Sequence, residues 1–439
     1  MSRLRNITAH LRAQFWIIPG LIVALAGLLA VLLLRRGGDL VIAGEDVWWL
    51  YSGDADTARG LLSSFLGGMM TMTSLVVSIT FVILTLAANQ LGPRLIATFV
   101  ADREIQAVLG LFLGTILYVV LVLRTLDDDL GAAAVPHIAV SVASLLTILC
   151  LFALLFYIHK IARAIIADNV VETVASELRS ELAEMLPSAS EVDDRPPEPI
   201  ERRHVRHVGV RCCGYVQVVR YKSLVALAKK HDAIVEVRVR AGHYLLVGGD
   251  HVRVHSDEPL TAQIDEAVRH GFVVGSERTP AQDPEFGIRQ LVDIGLRALS
   301  PSINDPYTAI SVVDRLGAVV EGIFAGALQL REIRDEQGIL RVVADRSDAQ
   351  GLVDAAFNSL RRSAVDHPEI LIGMADTIRK LAAGVRRADG RAALRDQLEK
   401  LAETAELARL GPSDRKAVAA RIASARAAYE TVDARAEAS

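Results

Sequence analysis

A row of small and hydroxyl-bearing residues runs through one long apolar stretch of the chain. At the 100° per residue of an α-helix, the whole row falls within about 80° of one face. The row consists of Ser64, Gly67, Thr71, Ser74, Ser78, Thr85 and Asn89. Such a stripe can let helices approach closely and hydrogen-bond across their interface, or it can line a water-filled path that solvates an ion or small solute. Thr73 and Thr80 fall on the opposite side, and both interpretations of the stripe stay open.

Three arginines lie near two predicted helix starts in the second half of the chain. The arginines are Arg278, Arg289 and Arg297, and the helix starts are Asp283-Pro284 and Asp305-Pro306. Asp at the N-cap accepts hydrogen bonds from free amides, and Pro suits the first helical position, so a helix hairpin is expected over 284–322. Positive helix ends with arginines could contact an anion or an anionic headgroup. Because the capping carboxylates already satisfy those amides, a rigid hairpin with internal Arg–Asp pairs is the favoured interpretation.

The other reactive residue types form no catalytic or metal-binding pattern. Cys212 and Cys213 are adjacent and lack the spaced partners of a structural zinc site. Gly248-Gly249 lacks the following helix and the lysine of a phosphate loop. The sequence therefore predicts no catalytic residue, no metal, no cofactor and no enzymatic activity. A formal net charge of −4 also argues against a nucleic-acid partner.

Charged residues are unevenly distributed and divide the chain into two parts. Residues 1–159 contain 19 charged side chains, and residues 160–439 contain 81. The first part holds four apolar stretches, and each is long enough to cross the hydrocarbon of a bilayer as a helix. These predicted spans cover about 15–34, 65–88, 105–123 and 138–158. None has an ionised residue at its centre, which disfavours ion-coupled transport.

The basic residues of the first part predict its orientation. Arginines or lysines lie at the N-terminus, in the loop 89–104 and just after the fourth span. Under the positive-inside rule, these segments face the cytoplasm. The N-terminus and the large C-terminal part are therefore both expected in the cytoplasm, on either side of a multi-pass membrane region.

The second part is predicted to be a soluble region of four segments. A helical stalk is expected over 160–186, followed by a proline-rich linker over 187–204. Alternating apolar residues and glycine turns predict a cytosolic α+β domain over 205–345. Residues 346–439 read as a C-terminal helical region. The predicted fold class is thus an all-α membrane domain of four transmembrane helices, then an α+β domain, then helices.

Several long motifs resemble a bacterial family of predicted membrane proteins, known as domain of unknown function 2254. The motifs are Leu91-Gly92-Pro93-Arg94, Gly214-Tyr215-Val216-Gln217, the run from Gln282 to Leu291 and the run from Arg297 to Ala309. The resemblance covers most of the chain. It implies an inner-membrane protein with four N-terminal spans and a cytosolic C-terminal region, and it brings no catalytic residues.

Two functions from different classes remain. The first is an oligomeric, passive conduit for ions or small solutes, in which the stripe lines the path and the cytosolic domain gates it. The second is a membrane-anchored sensor or scaffold without transport. The expected partners are the lipid bilayer and further copies of the same chain.

Overall fold

The computed structural model describes residues 16–40, 50–91, 102–126, 135–164, 167–185, 199–325, 331–385 and 387–437. The chain divides into two compact units, Met1–Asn169 and Val170–Ser439. Most of the expected linker 187–204 lies outside the described residues, as do Gly92, Pro93 and Arg94 of the first motif.

The described part of the first unit consists of four helices with apolar sequences. They are α1 (Ile17–Leu40), α2 (Ala55–Leu91), α3 (Arg103–Leu123) and α4 (His137–Ala164). Each contains a stretch that is long and apolar enough to cross a membrane. The second helix begins ten residues before the predicted span at 65–88, because Asp54 accepts a hydrogen bond from the amide of Thr57 (2.9 Å) and so caps an earlier start.

Helix α3 is the most enclosed of the four. Gly110 and Gly114 lie where a Cβ would be only 2.9 Å from the Cα of Pro19 and 3.1 Å from the Cβ of Ala26, so these glycines let α1 approach α3 closely. On the other side, the Tyr118 hydroxyl donates to the carbonyl of Ala139 in α4 (3.0 Å). The other three helices thus pack around α3.

At one end of this bundle, a charged group joins α3 to α4. Asp102 caps α3 by accepting from the amides of Glu104 (2.9 Å) and Ile105 (3.3 Å). The ammonium of Lys160, on α4, lies 2.6 Å from the carboxylate of Asp102 and 2.5 Å from that of Glu104.

The second unit begins within helix α5 (Ala167–Met185) and continues into two small sheets. The strands are β1 (His204–Val208), β2 (Gly214–Val219), β3 (Ile234–Val237), β4 (Tyr244–Leu245), β5 (Val252–Ser256), β6 (Phe272–Gly275), β7 (Glu332–Arg334) and β8 (Leu340–Ala344). Two helices lie between them, α6 (Tyr221–Lys230) and α7 (Gln263–Arg269).

One sheet has five strands in the order β1-β5-β3-β8-β7, and the other has three in the order β4-β2-β6. All pairs are antiparallel except β3 with β8, where Val235 lies opposite Val342. Alternating valines of these strands form the buried core together with Leu224 and Ala228 of α6.

Six further helices complete the unit. They are α8 (Pro284–Ala298), α9 (Pro306–Ala325), α10 (Ala349–Ser363), α11 (Pro368–Leu381), α12 (Ala388–Leu407) and α13 (Pro412–Glu437). The pair α8 and α9 packs against α10 and α11, and α13 packs against α11, where the buried Tyr429 donates to the carbonyl of Ile378 (2.9 Å). Helix α5 contacts α8 and α9, since Leu178 packs on Gly287 and Glu172 pairs with Arg315 (2.5 Å).

Candidate functional site

The stripe of small and hydroxyl residues lies on the outer surface of α2. Six of its seven members are exposed, namely Ser64, Gly67, Thr71, Ser74, Ser78 and Thr85. The side chain of the seventh, Asn89, is outside the described residues. The opposite face of α2 packs into the bundle through Leu62, Met69 and Val76, which are almost fully buried. A path lined by this stripe therefore cannot run through the middle of a single chain.

The hydroxyls of the stripe differ in whether they have a hydrogen-bond partner. Ser64, Thr71 and Thr85 donate to carbonyls one turn earlier in α2, over 2.8 Å, 2.9 Å and 2.8 Å. Within the described part of the chain, the hydroxyls of Ser74 and Ser78 make no hydrogen bond. These two serines sit in the middle of the apolar helix, where an unpaired hydroxyl is least favourable in hydrocarbon.

The inward hydroxyls of the same helix are all paired. Thr73 is buried and donates to the carbonyl of Met69 (2.7 Å). Thr80 donates to the carbonyl of Val76 (2.7 Å) and also bonds the hydroxyl of Tyr157 on α4. The two hydroxyls of α2 that face the bundle are thus satisfied within one chain.

In the second unit, two of the long sequence motifs come together at the start of α8, namely the one at residues 214–217 in β2 and the one that begins at Gln282. The side-chain amide of Gln282 pairs with the backbone of Val219 in β2, accepting from its amide (2.9 Å) and donating to its carbonyl (3.2 Å). Gln217 of the same strand donates to the carbonyl of Glu277 (3.0 Å). The segment before α8 is therefore fixed to the three-stranded sheet.

A set of six charged residues, here called the motif network, connects α8 to the sheets. Its members are Arg240, Arg278, Asp283, Glu285, Arg289 and Asp345. The guanidinium of Arg240 lies 2.8 Å from the carboxylate of Glu285 and 3.3 Å from that of Asp345. Arg289 pairs with the other oxygen of Glu285 (2.9 Å), and the hydroxyl of Ser347 also donates to this carboxylate (3.1 Å). Glu285 is only 6% exposed, so every contact replaces water.

The role predicted for Asp283 is wrong in one respect. Asp283 holds the N-cap position of α8, but its carboxylate accepts no amide hydrogen bond from the helix. It binds the guanidinium of Arg278 instead (2.8 Å). The turn at Gly242, with φ of +88°, packs directly on this pair, and a Cβ there would collide with both side chains. Asp283 thus forms the internal Arg–Asp pair that the sequence favoured, with Arg278 in the segment after β6, and this pair lies against the turn at Gly242 in the loop after β3.

Asp305 does cap the second helix of the hairpin. Its carboxylate accepts from the amide of Thr308 (3.1 Å) and from the hydroxyl of the same residue (2.6 Å). Arg297 lies in the last turn of α8, about 20 Å along the axis from the start of that helix at the usual rise per residue. The structure therefore does not bring the three predicted arginines together around one anion.

Burial and paired charges shift the ionisation of this region. Burial opposes the charged form of Glu285, but hydrogen bonding and charge from Arg240 outweigh it and lower the pKa of Glu285 below its usual value. Burial raises the pKa of Asp283, even beside Arg278. Burial, with the charge of Arg240, lowers the pKa of His243. Three guanidinium groups and three carboxylates balance in charge, so the motif network is suited to holding elements together.

Sequence reasoning overlooked Arg240 and Asp345, which follow the ends of β3 and β8. Nothing in their local sequence marks them. The parallel pairing of those two strands brings them together across 105 positions of the chain. Glu285, their common neighbour, lies inside the motif that runs from Gln282 to Leu291, and this motif was the sequence signal that pointed to the region.

The architecture is that of a predicted membrane protein: four helices long and apolar enough to cross a membrane come first, and a unit of sheets and helices follows. A family model described as "Predicted membrane protein (DUF2254)" matches residues 12–380, and the chain belongs to this family. It is similar to a protein of Mycobacterium bovis and to one of Mycobacterium tuberculosis, both described as uncharacterised. Each is 27% identical over 432 residues, covering 95% of this chain and 81% of the relative. No solved structure matches the chain.

Proposed function

We propose that the protein is an integral protein of the bacterial inner membrane that self-associates through α2 and encloses a passive path for ions or small solutes. Both termini lie in the cytoplasm, and the C-terminal unit gates the path. One observation carries the proposal. Ser74 and Ser78 are exposed in the middle of an apolar helix and have no partner within the described part of the chain.

An unpaired hydroxyl in lipid is costly, because hydrocarbon offers no hydrogen bond in return. A second copy of α2, or water enclosed between copies, removes this cost. The stripe also repeats at alternating intervals of three and four residues from Ser64 to Ser78. That is the spacing of helices that pack in a left-handed pair. Nothing lies within 4 Å of the position a Cβ would take at Gly67, so another backbone has room to approach.

A path between copies is passive because the part of α2 that carries the stripe supplies no ionised group for coupling. From Gly60 to Leu91 the helix contains no Asp, Glu, Lys or Arg. Hydroxyl groups can replace part of the hydration of a passing ion without binding it tightly. The proposal includes no catalysis, no cofactor and no nucleic-acid partner.

The test is flux through proteoliposomes that contain the purified full-length protein. We expect wild-type protein to pass ions or small solutes, and Ser74→Leu with Ser78→Leu to abolish that flux by replacing both free hydroxyls. The matched control is Met70→Leu with Leu86→Ile, since both residues are exposed on α2 outside the stripe. Helix content by circular dichroism establishes that each variant is folded. Equal flux in wild type and the serine variant would contradict the proposal.

The second candidate is a membrane-anchored sensor or scaffold. The paired hydroxyls of Ser64, Thr71 and Thr85 favour it, because a stripe whose groups bond to its own helix suits simple helix packing. In that case, the wild type shows no flux over a range of ions and voltages, but it still self-associates in detergent. The serine variant then changes the oligomeric state alone.

A further inference from the structure

A large apolar cavity opens between the four helices of the first unit. Its volume is about 440 Å³. Trp16 just before α1, Pro19 of α1, Val77 of α2, Leu113 of α3 and Ile161 of α4 contribute to its wall. Every helix that forms it is a candidate membrane span. The cavity lies on a different part of α2 from the stripe, so it is unrelated to the proposed path.

The cavity offers almost nothing for water to bind. Among the described residues of its wall, the hydroxyl-bearing ones are Thr73 and Thr80, and both donate to carbonyls of their own helix. Thr80 also bonds the hydroxyl of Tyr157. A buried water needs two to four polar partners, and apolar cavities of this kind stay dry. An empty space of this size would forfeit the dispersion contacts of its whole lining.

We infer that the cavity binds one acyl chain of a membrane phospholipid. Its volume lies within the range of roughly 300–1,000 Å³ that ligand sites occupy, and its lining is apolar as such sites mostly are. Once the four helices are inserted in a bilayer, the surrounding molecules are themselves hydrocarbon chains. The inference rests on the membrane insertion that is part of the proposed function, and it does not require conduction.

The charged group at the end of α3 and α4 locates the polar end of such a lipid. Ile161, in the cavity wall, follows Lys160, and Ile105, also in the wall, follows Glu104. Lys160 binds the carboxylates of Asp102 and Glu104, so ionised groups lie beside one edge of the apolar space. Charged residues sit at the level of lipid headgroups because they are costly deeper in the bilayer. The cavity therefore extends from the headgroup level inward, as an acyl chain does.

The experiment counts phospholipid that stays bound to the full-length protein. Protein extracted from bacterial membranes is washed extensively in mild detergent, and retained phospholipid per chain is measured by native mass spectrometry. We expect about one retained phospholipid per chain, as one chain-sized cavity implies. A phosphatidylcholine with a photoreactive group near one acyl terminus should then label peptides of α2 and α3 that form the wall.

Leu113→Trp fills the cavity and should lose the retained lipid. Val120→Trp is the matched control, since Val120 lies two turns further along α3 at nearly the same exposure (41% against 40%) and does not line the cavity. Val77→Phe provides a second filling variant if Leu113→Trp does not fold. Equal retention in the filled variants and the control would overturn the inference.

Two other occupants have distinct signatures, and either would overturn the inference. Water in the cavity would let Val77→Cys react with a charged, membrane-impermeant thiol reagent. A second copy of the chain would give a disulfide between two such cysteines. Lipid retention without flux would contradict only the proposed path, and flux without retained lipid would contradict only the acyl-chain site.

Discussion

The stripe of α2 and the motif network differ in whether their polar groups have hydrogen-bond partners. In the motif network, Glu285 is nearly buried and meets two guanidinium groups and a hydroxyl. In the stripe, Ser74 and Ser78 are exposed and lack partners within the described residues. The carboxylate of Glu285 therefore has its partners within one chain, whereas the hydroxyls of Ser74 and Ser78 have none among the described residues.

The difference shows that the charge of a side chain does not by itself predict whether that side chain is available to bind a partner. Arginines at helix starts are strong candidates for anion binding, yet Arg278 and Arg289 are both held by carboxylates of the same chain. Serine is a weak candidate, but a serine hydroxyl without a partner in an apolar helix leaves a polar group for a neighbouring helix or enclosed water to bind. We expect partners at the stripe and stability from the network.

The sharpest test of this comparison places single cysteines on the two faces of α2. Cys150, Cys212 and Cys213 are first replaced, because the last two are exposed. We expect Ser78→Cys to react with a membrane-impermeant thiol reagent or to cross-link to a second copy. Thr73→Cys should do neither, since Thr73 is buried against the bundle. Mass spectrometry and non-reducing gels measure both outcomes, and equal behaviour of the two cysteines would remove the distinction between the faces.

The motif network should respond strongly to the loss of one carboxylate. Glu285→Ala leaves Arg240 and Arg289 without a common partner in a buried site, and we expect it to lower the free energy of unfolding by about 3 kcal/mol. Glu399→Ala is the control, because Glu399 pairs with Arg426 on the surface and should cost less than about 1 kcal/mol. Urea unfolding followed by circular dichroism compares them. Similar costs would mean that the network is a surface feature only.

The stability difference between wild type and Glu285→Ala should change with pH in a predictable direction. The folded state holds the pKa of Glu285 below its usual value of 4.5. Its stabilisation is therefore complete above about pH 4.5 and is lost as the pH falls through the lower folded value. The difference in unfolding midpoint between wild type and Glu285→Ala should be largest near pH 7 and should narrow in acid. If the difference in unfolding midpoint instead grew as the pH fell, the lowered pKa of Glu285 would be contradicted.

Local sequence was sufficient where structure depends on neighbours along the chain. The uncharged stretches predicted four candidate spans, and an apolar helix is present at each. Asp305 was predicted to cap α9, and it accepts from Thr308 as a cap does. Hydropathy and capping act within one or two helical turns, so both can be seen in short windows of sequence.

Local sequence was insufficient where packing between segments decides the role of a group. Asp283 has the same Asp-Pro signature as Asp305, but its carboxylate pairs with Arg278 and does not cap α8, and this pair packs against the turn at Gly242 in the loop after β3. The sequence also placed the stripe on one face of α2 without indicating which way that face points. That direction depends on how α2 packs with α3 and α4, which no window of α2 contains.

The turn at Gly242 gives a smaller effect that tests the same network. Gly242→Ala forces a side chain onto the Arg278–Asp283 pair at a φ of +88°, and we expect a loss of about 2 kcal/mol. Gly248→Ala is matched to it, because Gly248 has a φ of +94° but open space around it, so only the backbone cost of about 1 kcal/mol remains. Thermal unfolding of both variants separates the cost of the backbone conformation, which both share, from the cost of the side-chain collision, which only Gly242→Ala has. Equal losses would mean that the ion pair moves aside without cost.

The smallest effect distinguishes the two Asp-Pro starts of the hairpin. Asp305→Ala removes a carboxylate that accepts from the amide of Thr308, and we expect it to lower the free energy of unfolding by about 1 kcal/mol. Asp305→Asn keeps an acceptor oxygen at the cap and should restore most of that loss. Asp283→Asn should restore little of the loss caused by Asp283→Ala, because Asp283 acts through its charge on Arg278 and not as a cap. If asparagine restored both positions equally in urea unfolding, the two carboxylates would share one role and the ion pair would not distinguish them.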